Sequence, residues 1–135
     1  MQLLDVVDLT AGYGDAVVIE ALSLAMDEGQ GLAVLGRNGV GKTTLILSLM
    51  GLTRQTGGRI LWRGEDISSM TPFMRSQLGI GWVPQERNIF PSLTVEENLR
   101  IAASPGRYDL ARVYDLFPRL QERRRNMGDK LSGGE

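Results

Sequence analysis

Gly36-Arg37-Asn38-Gly39-Val40-Gly41-Lys42-Thr43-Thr44 places three glycines, a lysine and two hydroxyl side chains within nine positions. Glycines tolerate backbone angles that a β-carbon forbids. Successive N–H groups can then point inward around an anion. The spacing fits G-x-x-x-x-G-K-[ST], the phosphate-binding P-loop. In that pattern Lys42 reaches the β- and γ-phosphates, and the Thr43 hydroxyl sits on a magnesium ion. The loop should open a helix whose N-terminal dipole also favours anions. The alternative is a glycine-rich turn before an ordinary helix.

Context decides between the two. Leu32-Ala33-Val34-Leu35 is a short apolar run ending at Gly36, which suits a strand buried on both faces. A helix is expected over 42–50, with Leu45, Leu49 and Leu52 on one face and Gly51 at its end. Strand, glycine-rich loop and helix are the setting that the P-loop requires.

Upstream, 3–9 reads as a strand and Gly12-Tyr13-Gly14-Asp15 as a turn. Residues 17–26 read as two short strands or one long bent one, with Leu22, Leu24 and Met26 alternating with small residues. Asp27-Glu28-Gly29-Gln30-Gly31 is a polar turn. Downstream, Thr56-Gly57-Gly58 is expected to turn before a strand at 59–62. Thr71-Pro72 starts a helix reaching about 78, with Thr71 as N-cap. Residues 80–83 read as a strand, stopped by Pro84 and followed by a loop over 85–92. Thr94-Val95-Glu96-Glu97 is a capping box opening a helix over 95–103. Leu110, Val113, Tyr114 and Phe117 mark another amphipathic helix, and a polar helix with Arg119, Arg123, Arg124 and Arg125 follows Pro118. That arginine group reads as a solvated face, Trp62 and Trp82 as core, and the helices with Leu99 and Phe117 as packing elements.

Composition narrows the chemistry. The 135 residues suit one domain, and 42% hydrophobic with 23% charged residues is ordinary for a globular protein. The net charge of −1 offers no bulk-charge argument for a nucleic-acid or anionic-membrane surface. Without cysteine there is no disulfide framework or thiolate site. Without histidine there is no histidine base or metal ligand. No apolar run approaches the roughly 20 residues of a membrane span, and residues 1–5 lack a signal-peptide pattern, so a cytosolic address is the default.

Three further features stand in order around the P-loop: Tyr13, then Gln85 in Trp82-Val83-Pro84-Gln85, then Leu131-Ser132-Gly133-Gly134-Glu135. Read singly, they are a turn aromatic, a loop residue and a flexible Ser-Gly-Gly tail. Together they resemble the nucleotide-binding domain of an ABC-type ATPase. The wording of Gly79-Ile80-Gly81-Trp82-Val83-Pro84-Gln85-Glu86-Arg87, and of Ile89-Phe90-Pro91-Ser92-Leu93-Thr94-Val95-Glu96-Glu97-Asn98-Leu99, is most similar to ATP-binding subunits of branched-chain amino-acid importers. Relatives of that group serve urea and short amides.

The resemblance implies an α/β fold of P-loop NTPase type. It implies an antiparallel β-subdomain and P-loop core over 1–93, and a helical subdomain up to the signature over 94–135. It implies ATP and Mg2+ as cofactors. Tyr13 would stack on adenine, and Gly36, Asn38, Gly39, Gly41, Lys42, Thr43 and Thr44 would contact the nucleotide. Gln85 would begin the Q-loop, touching magnesium or the attacking water, so Thr43 and Gln85 are the metal-side residues. Ser132, Gly133 and Gly134 would face the ATP of an opposite subunit. The implied partners are integral-membrane permease subunits and a second ATP-binding domain, with no nucleic acid, on the cytoplasmic face of the membrane.

The family pattern continues past the signature into a Walker B Asp-Glu pair, a D-loop and a switch histidine, none of which follows Glu135 here. The expectation is therefore the N-terminal part of such a subunit, not competent to hydrolyse ATP alone. A non-hydrolysing nucleotide- or permease-binding module is the alternative. A DNA-repair or translation ABC protein ranks lower, because 85–131 shows no heptads. A P-loop kinase ranks lower still. Strand 32–35 is expected to lack sheet neighbours, which would make the chain prone to association.

Overall fold

A computed structural model describes residues 1–86, 89–132 and 134. Two compact units are present, Met1–Trp82 and Val83–Glu135.

The first unit is built on a four-stranded antiparallel sheet in the order β2-β1-β3-β4. Its strands are β1 (Gln2–Tyr13), β2 (Ala16–Asp27), β3 (Arg54–Trp62) and β4 (Glu65–Asp66). Residues 16–27 form one long strand, turning from β1 at Gly14 and Asp15.

Burial along β1 changes parity: Leu4 and Val6 are buried, then Leu9 and Ala11. Strict alternation cannot do this. The register against both neighbours slips across Asp8, whose φ is +49°. One extra residue there swaps the faces, as a bulge does. The Asp8 N–H donates to Ser23 Oγ at 2.9 Å, which holds the bulge to β2. Ala21, with φ +47°, marks a similar switch in β2, between buried Ile19 and half-buried Leu22, Leu24 and Met26. Gly57 and Gly58 were expected to turn the chain. They instead lie inside β3, with Gly57 paired to Thr10. A Cβ on Gly58 would sit 2.3 Å from Asp8 O, so the glycine is required where β1 bulges toward it.

Helix α1 (Lys42–Leu49) packs Leu45 into the core formed by Leu4, Val6, Leu9, Ile60 and Ile67. Leu49 is partly buried against the same core, but Leu52 is exposed, so the expected three-leucine face is two residues long. Gly51, at φ +82°, ends the helix, and Leu52 N–H returns to Leu47 O at 2.9 Å. Helix α2 (Pro72–Gln77) starts as predicted: Thr71 Oγ1 accepts from Met74 N–H at 3.3 Å.

Two expected strands are absent. Residues 32–35 and 80–83 join no ladder, and Leu35 is 88% exposed. A strand needs a neighbour for its N–H and C=O groups. All ladders among the described residues are antiparallel and belong to the four-stranded sheet. Trp82, expected in the core, is exposed for the same reason.

The second unit carries α3 (Val95–Ile101), α4 (Leu110–Leu116) and α5 (Pro118–Glu122). Of the expected capping box at α3 the N-cap half forms: Thr94 Oγ1 accepts from Glu97 N–H at 3.2 Å, while Glu97 Oε1 accepts from the Thr94 hydroxyl at 3.1 Å. Asn98 ties this helix to the preceding loop, donating to Phe90 O, Leu93 O and Thr94 O and accepting from Phe90 N–H. Phe117, expected to pack, is exposed at the junction of α4 and α5. Arg119 lies in α5, and Arg123, Arg124 and Arg125 follow it.

Candidate functional site

The loop 36–41 closes on itself. Lys42 Nζ donates to Gly36 O, so the ammonium sits at the loop's own mouth. Gly39 and Gly41 have φ of +87° and +106°, a region that L side chains rarely adopt. A Cβ on Gly36 would lie 2.8 Å from Val40 Cγ2. Each motif glycine therefore answers a steric demand of the turn. Asn38 lies in that turn and is exposed.

Gly41 occupies the N-cap of α1, and no side chain caps the helix. The first N–H groups of a helix have no intrahelical partner and carry its positive dipole end. Lys42 adds a full charge there, and the Thr43 hydroxyl is exposed beside it. Positive-φ glycines, an uncapped helix start, a lysine and an exposed hydroxyl form a donor set that suits a polyphosphate.

Thr44 is buried and faces inward. Its Oγ1 lies 3.2 Å from the Tyr13 hydroxyl, which places the Tyr13 side chain at the first turn of α1. The Tyr13 residue is 46% exposed, leaving ring surface available to a base. A recess of about 310 Å³ opens beside the loop, lined by Val18, Ile19, Glu20, Val34, Leu35 and Lys42 among others. Tyr13 does not line it, so this recess is not the predicted base site.

Arg75 is a residue that motif reading missed. It is 2% exposed and spends its donors on backbone carbonyls, including Ser48 O and Leu49 O at the C-terminal end of α1. Burial lowers its pKa from the ordinary arginine value. An arginine at the fourth position of an amphipathic-looking helix start carries no sequence signal of burial.

In the second unit Gln85 lies exposed in a bend after Pro84. Ser132 is exposed and Gly134 is in a turn, while Arg87, Gly133 and Glu135 lie outside the described residues. Among the described residues no group of three or more His, Cys, Asp or Glu could hold a metal ion. A magnesium ion at Thr43 would take its other ligands from phosphate oxygens and water, as this ion commonly does. No helix among the described residues is long and apolar enough to cross a membrane.

The family model described as ABC transporter matches residues 19–135. A probable branched-chain amino acid transport ATP-binding protein, LivF, from Archaeoglobus fulgidus is 38% identical over 140 residues, covering 98% of this chain and 58% of that protein. The lipopolysaccharide export system ATP-binding protein LptB from Haemophilus influenzae is also 38% identical, over 143 residues, covering 100% of this chain and 59% of that one. Among solved structures, an ATP-binding subunit of an ABC transporter superposes with a TM-score of 0.78 at 32% identity, covering 98% of this chain and 57% of its own. A nucleotide-free ATP-binding cassette has the same fold, with a TM-score of 0.78 at 24% identity over 99% of this chain and 60% of its own. The chain thus spans less than two thirds of these relatives. With the glycine-rich loop, the uncapped α1 and these matches together, the chain belongs to the ABC transporter family, on its ATP-binding side.

Proposed function

We propose that residues 36–44 hold the phosphates of ATP and that the chain is the nucleotide-binding portion of an ABC transport subunit. The observation that carries this is the start of α1: Gly41 at φ +106°, no side-chain cap, and Lys42 and Thr43 immediately after it. Backbone N–H groups of the loop and α1, with Lys42, would bind the phosphates. Thr43 would serve magnesium, and Gln85 would begin the Q-loop. Tyr13 would take the adenine ring. Bound Mg·ATP supplies a γ-phosphoryl group for transfer to water, and the protein's part in such transfer is positioning and charge neutralisation. In the whole subunit Ser132, Gly133 and Gly134 would serve the ATP of a second ATP-binding domain. Permease subunits would hold the pair at the cytoplasmic face of a membrane.

For the solute, the reading is import of branched-chain or hydrophobic amino acids. It rests on the wording of 79–87 and 89–99 and on the likeness to the Archaeoglobus branched-chain amino acid transport ATP-binding protein. The lipopolysaccharide export relative, at equal identity, is the competing reading. Import of urea or amides, and a non-hydrolysing nucleotide- or permease-binding role, are the others. Equilibrium dialysis tests the core of the proposal: ATP and ADP bind in the presence of magnesium and AMP does not, because Lys42 serves the outer phosphates. Equal retention of AMP would overturn it. Co-purification of the chain with importer membrane subunits in preference to lipopolysaccharide-export membrane subunits tests the solute class, and the reverse preference contradicts it.

A further inference from the structure

We propose that Arg75 is a positioning residue for the phosphate loop, acting through the C-terminal carbonyls of α1; the inference rests on the nucleotide-binding reading above. Arg75 Nη1 donates to Ser48 O at 2.8 Å and to Leu49 O at 3.1 Å. Its Nε donates to Met70 O and its Nη2 to Ser68 O, both at 3.1 Å. Every acceptor is a carbonyl, and no ion pair to Arg75 is present among the described residues.

A buried guanidinium without a counter-charge is expensive, and an apolar side chain would fill the same space at lower cost. What the guanidinium adds is directional. Its planar fork grips the end of α1 in one orientation, and its charge complements the negative end of the helix dipole.

The effect has a physical path to the loop. The buried polar residues of the described chain are Thr44, Ser48 and Arg75, and they form one line. Ser48 Oγ donates to Thr44 O at 2.7 Å, one turn back toward the loop. Helix α1 is only eight residues long and buries a single large apolar side chain, Leu45. With Leu49 only partly buried beside it, this narrow apolar face leaves rotation about the helix axis weakly determined. Arg75 supplies the second anchor, at the end opposite Gly41. Rotation or sliding of α1 would redirect the N–H groups of its first turn, which are the ones assigned to phosphate.

The test compares ATP binding by the full chain and its Arg75→Lys variant, using isothermal titration calorimetry with Mg·ATP and a parallel thermal melt. Lysine keeps the charge and loses the fork. Ile67→Val, a core truncation outside α1, controls for general loss of stability. The proposal expects Arg75→Lys to weaken ATP binding about tenfold while Ile67→Val leaves Kd unchanged. The amide resonances of Gly39 and Gly41 should shift in Arg75→Lys only. A folded Arg75→Lys chain that binds ATP like the wild type overturns the proposal, and so does equal weakening by Ile67→Val. If Arg75→Lys does not fold, Arg75→Gln takes its place, because it keeps a planar amide donor and loses the charged fork. The same two outcomes decide. A wild-type chain that binds no ATP instead removes the nucleotide-binding reading, and this inference with it.

Discussion

The Tyr13 hydroxyl lies 3.2 Å from Thr44 Oγ1, joining the end of β1 to the first turn of α1 across 31 positions of sequence. The aromatic residue and the phosphate loop are therefore parts of one local structure. Base stacking on an aromatic ring is worth about 1–3 kcal/mol by alanine substitution. Tyr13→Ala should weaken ATP binding by about 5- to 160-fold on that basis. Tyr13→Phe keeps the ring and should stay within about threefold of the wild type, since the net contribution of one part-buried neutral hydrogen bond is small. Competition binding with a fluorescent nucleotide reads both. An unaffected Tyr13→Ala chain would remove Tyr13 from the site.

Gly58 faces the bulge at Asp8. It sits at φ +78°, and a Cβ there would come within 2.4 Å of Asp8 C and Val7 O as well as Asp8 O. These backbone atoms of β1 cannot yield as a side-chain tip would. Gly58→Ala should cost at least about 1–3 kcal/mol from the backbone angle alone, with the clash added. Urea denaturation measures this. A midpoint equal to that of the wild type would contradict the described register of β1 and β3.

Tyr114 is buried on α4, and its hydroxyl has no hydrogen-bond partner among the described residues. Burial, and then the nearby Glu96 carboxylate, raise its pKa above the ordinary tyrosine value. An unpaired buried hydroxyl costs about 1–3 kcal/mol of desolvation. Tyr114→Phe should accordingly be neutral or stabilising by up to about 1 kcal/mol, read as an unchanged or raised Tm. A clear loss of stability would mean that the hydroxyl is paired in solution.

Leu35 is 88% exposed in a segment that joins no ladder. Exposed apolar backbone with open N–H and C=O groups is a template for association. The chain should show concentration-dependent mass in light scattering, and Leu35→Asp should reduce it. A monodisperse wild-type monomer at high concentration would contradict this.

Much of the site was legible because its chemistry is local. The turn at 36–41 and the start of α1 follow from glycine spacing, and Thr71 and Thr94 follow from capping chemistry. Ladder formation is not local. Residues 32–35 and 80–83 have the composition of strands, yet pairing depends on a neighbour that their own composition does not specify. The bulges at Asp8 and Ala21 were hidden for a related reason. A one-residue change of parity reads as broken alternation until both flanking registers are known. Arg75 was missed because its role comes from carbonyls 26 and 27 positions away.

The central claim is that the loop closed by Lys42 on Gly36 O is a phosphate site, with Lys42 exchanging that carbonyl for a phosphate oxygen. Calorimetric titration of the full chain and of Lys42→Ala with Mg·ATP tests it most directly. Saturable binding by the wild type and at least about a tenfold loss, ~1.4 kcal/mol, in the variant are expected. Equal affinity in the two chains, or no binding by a folded wild type, would contradict it.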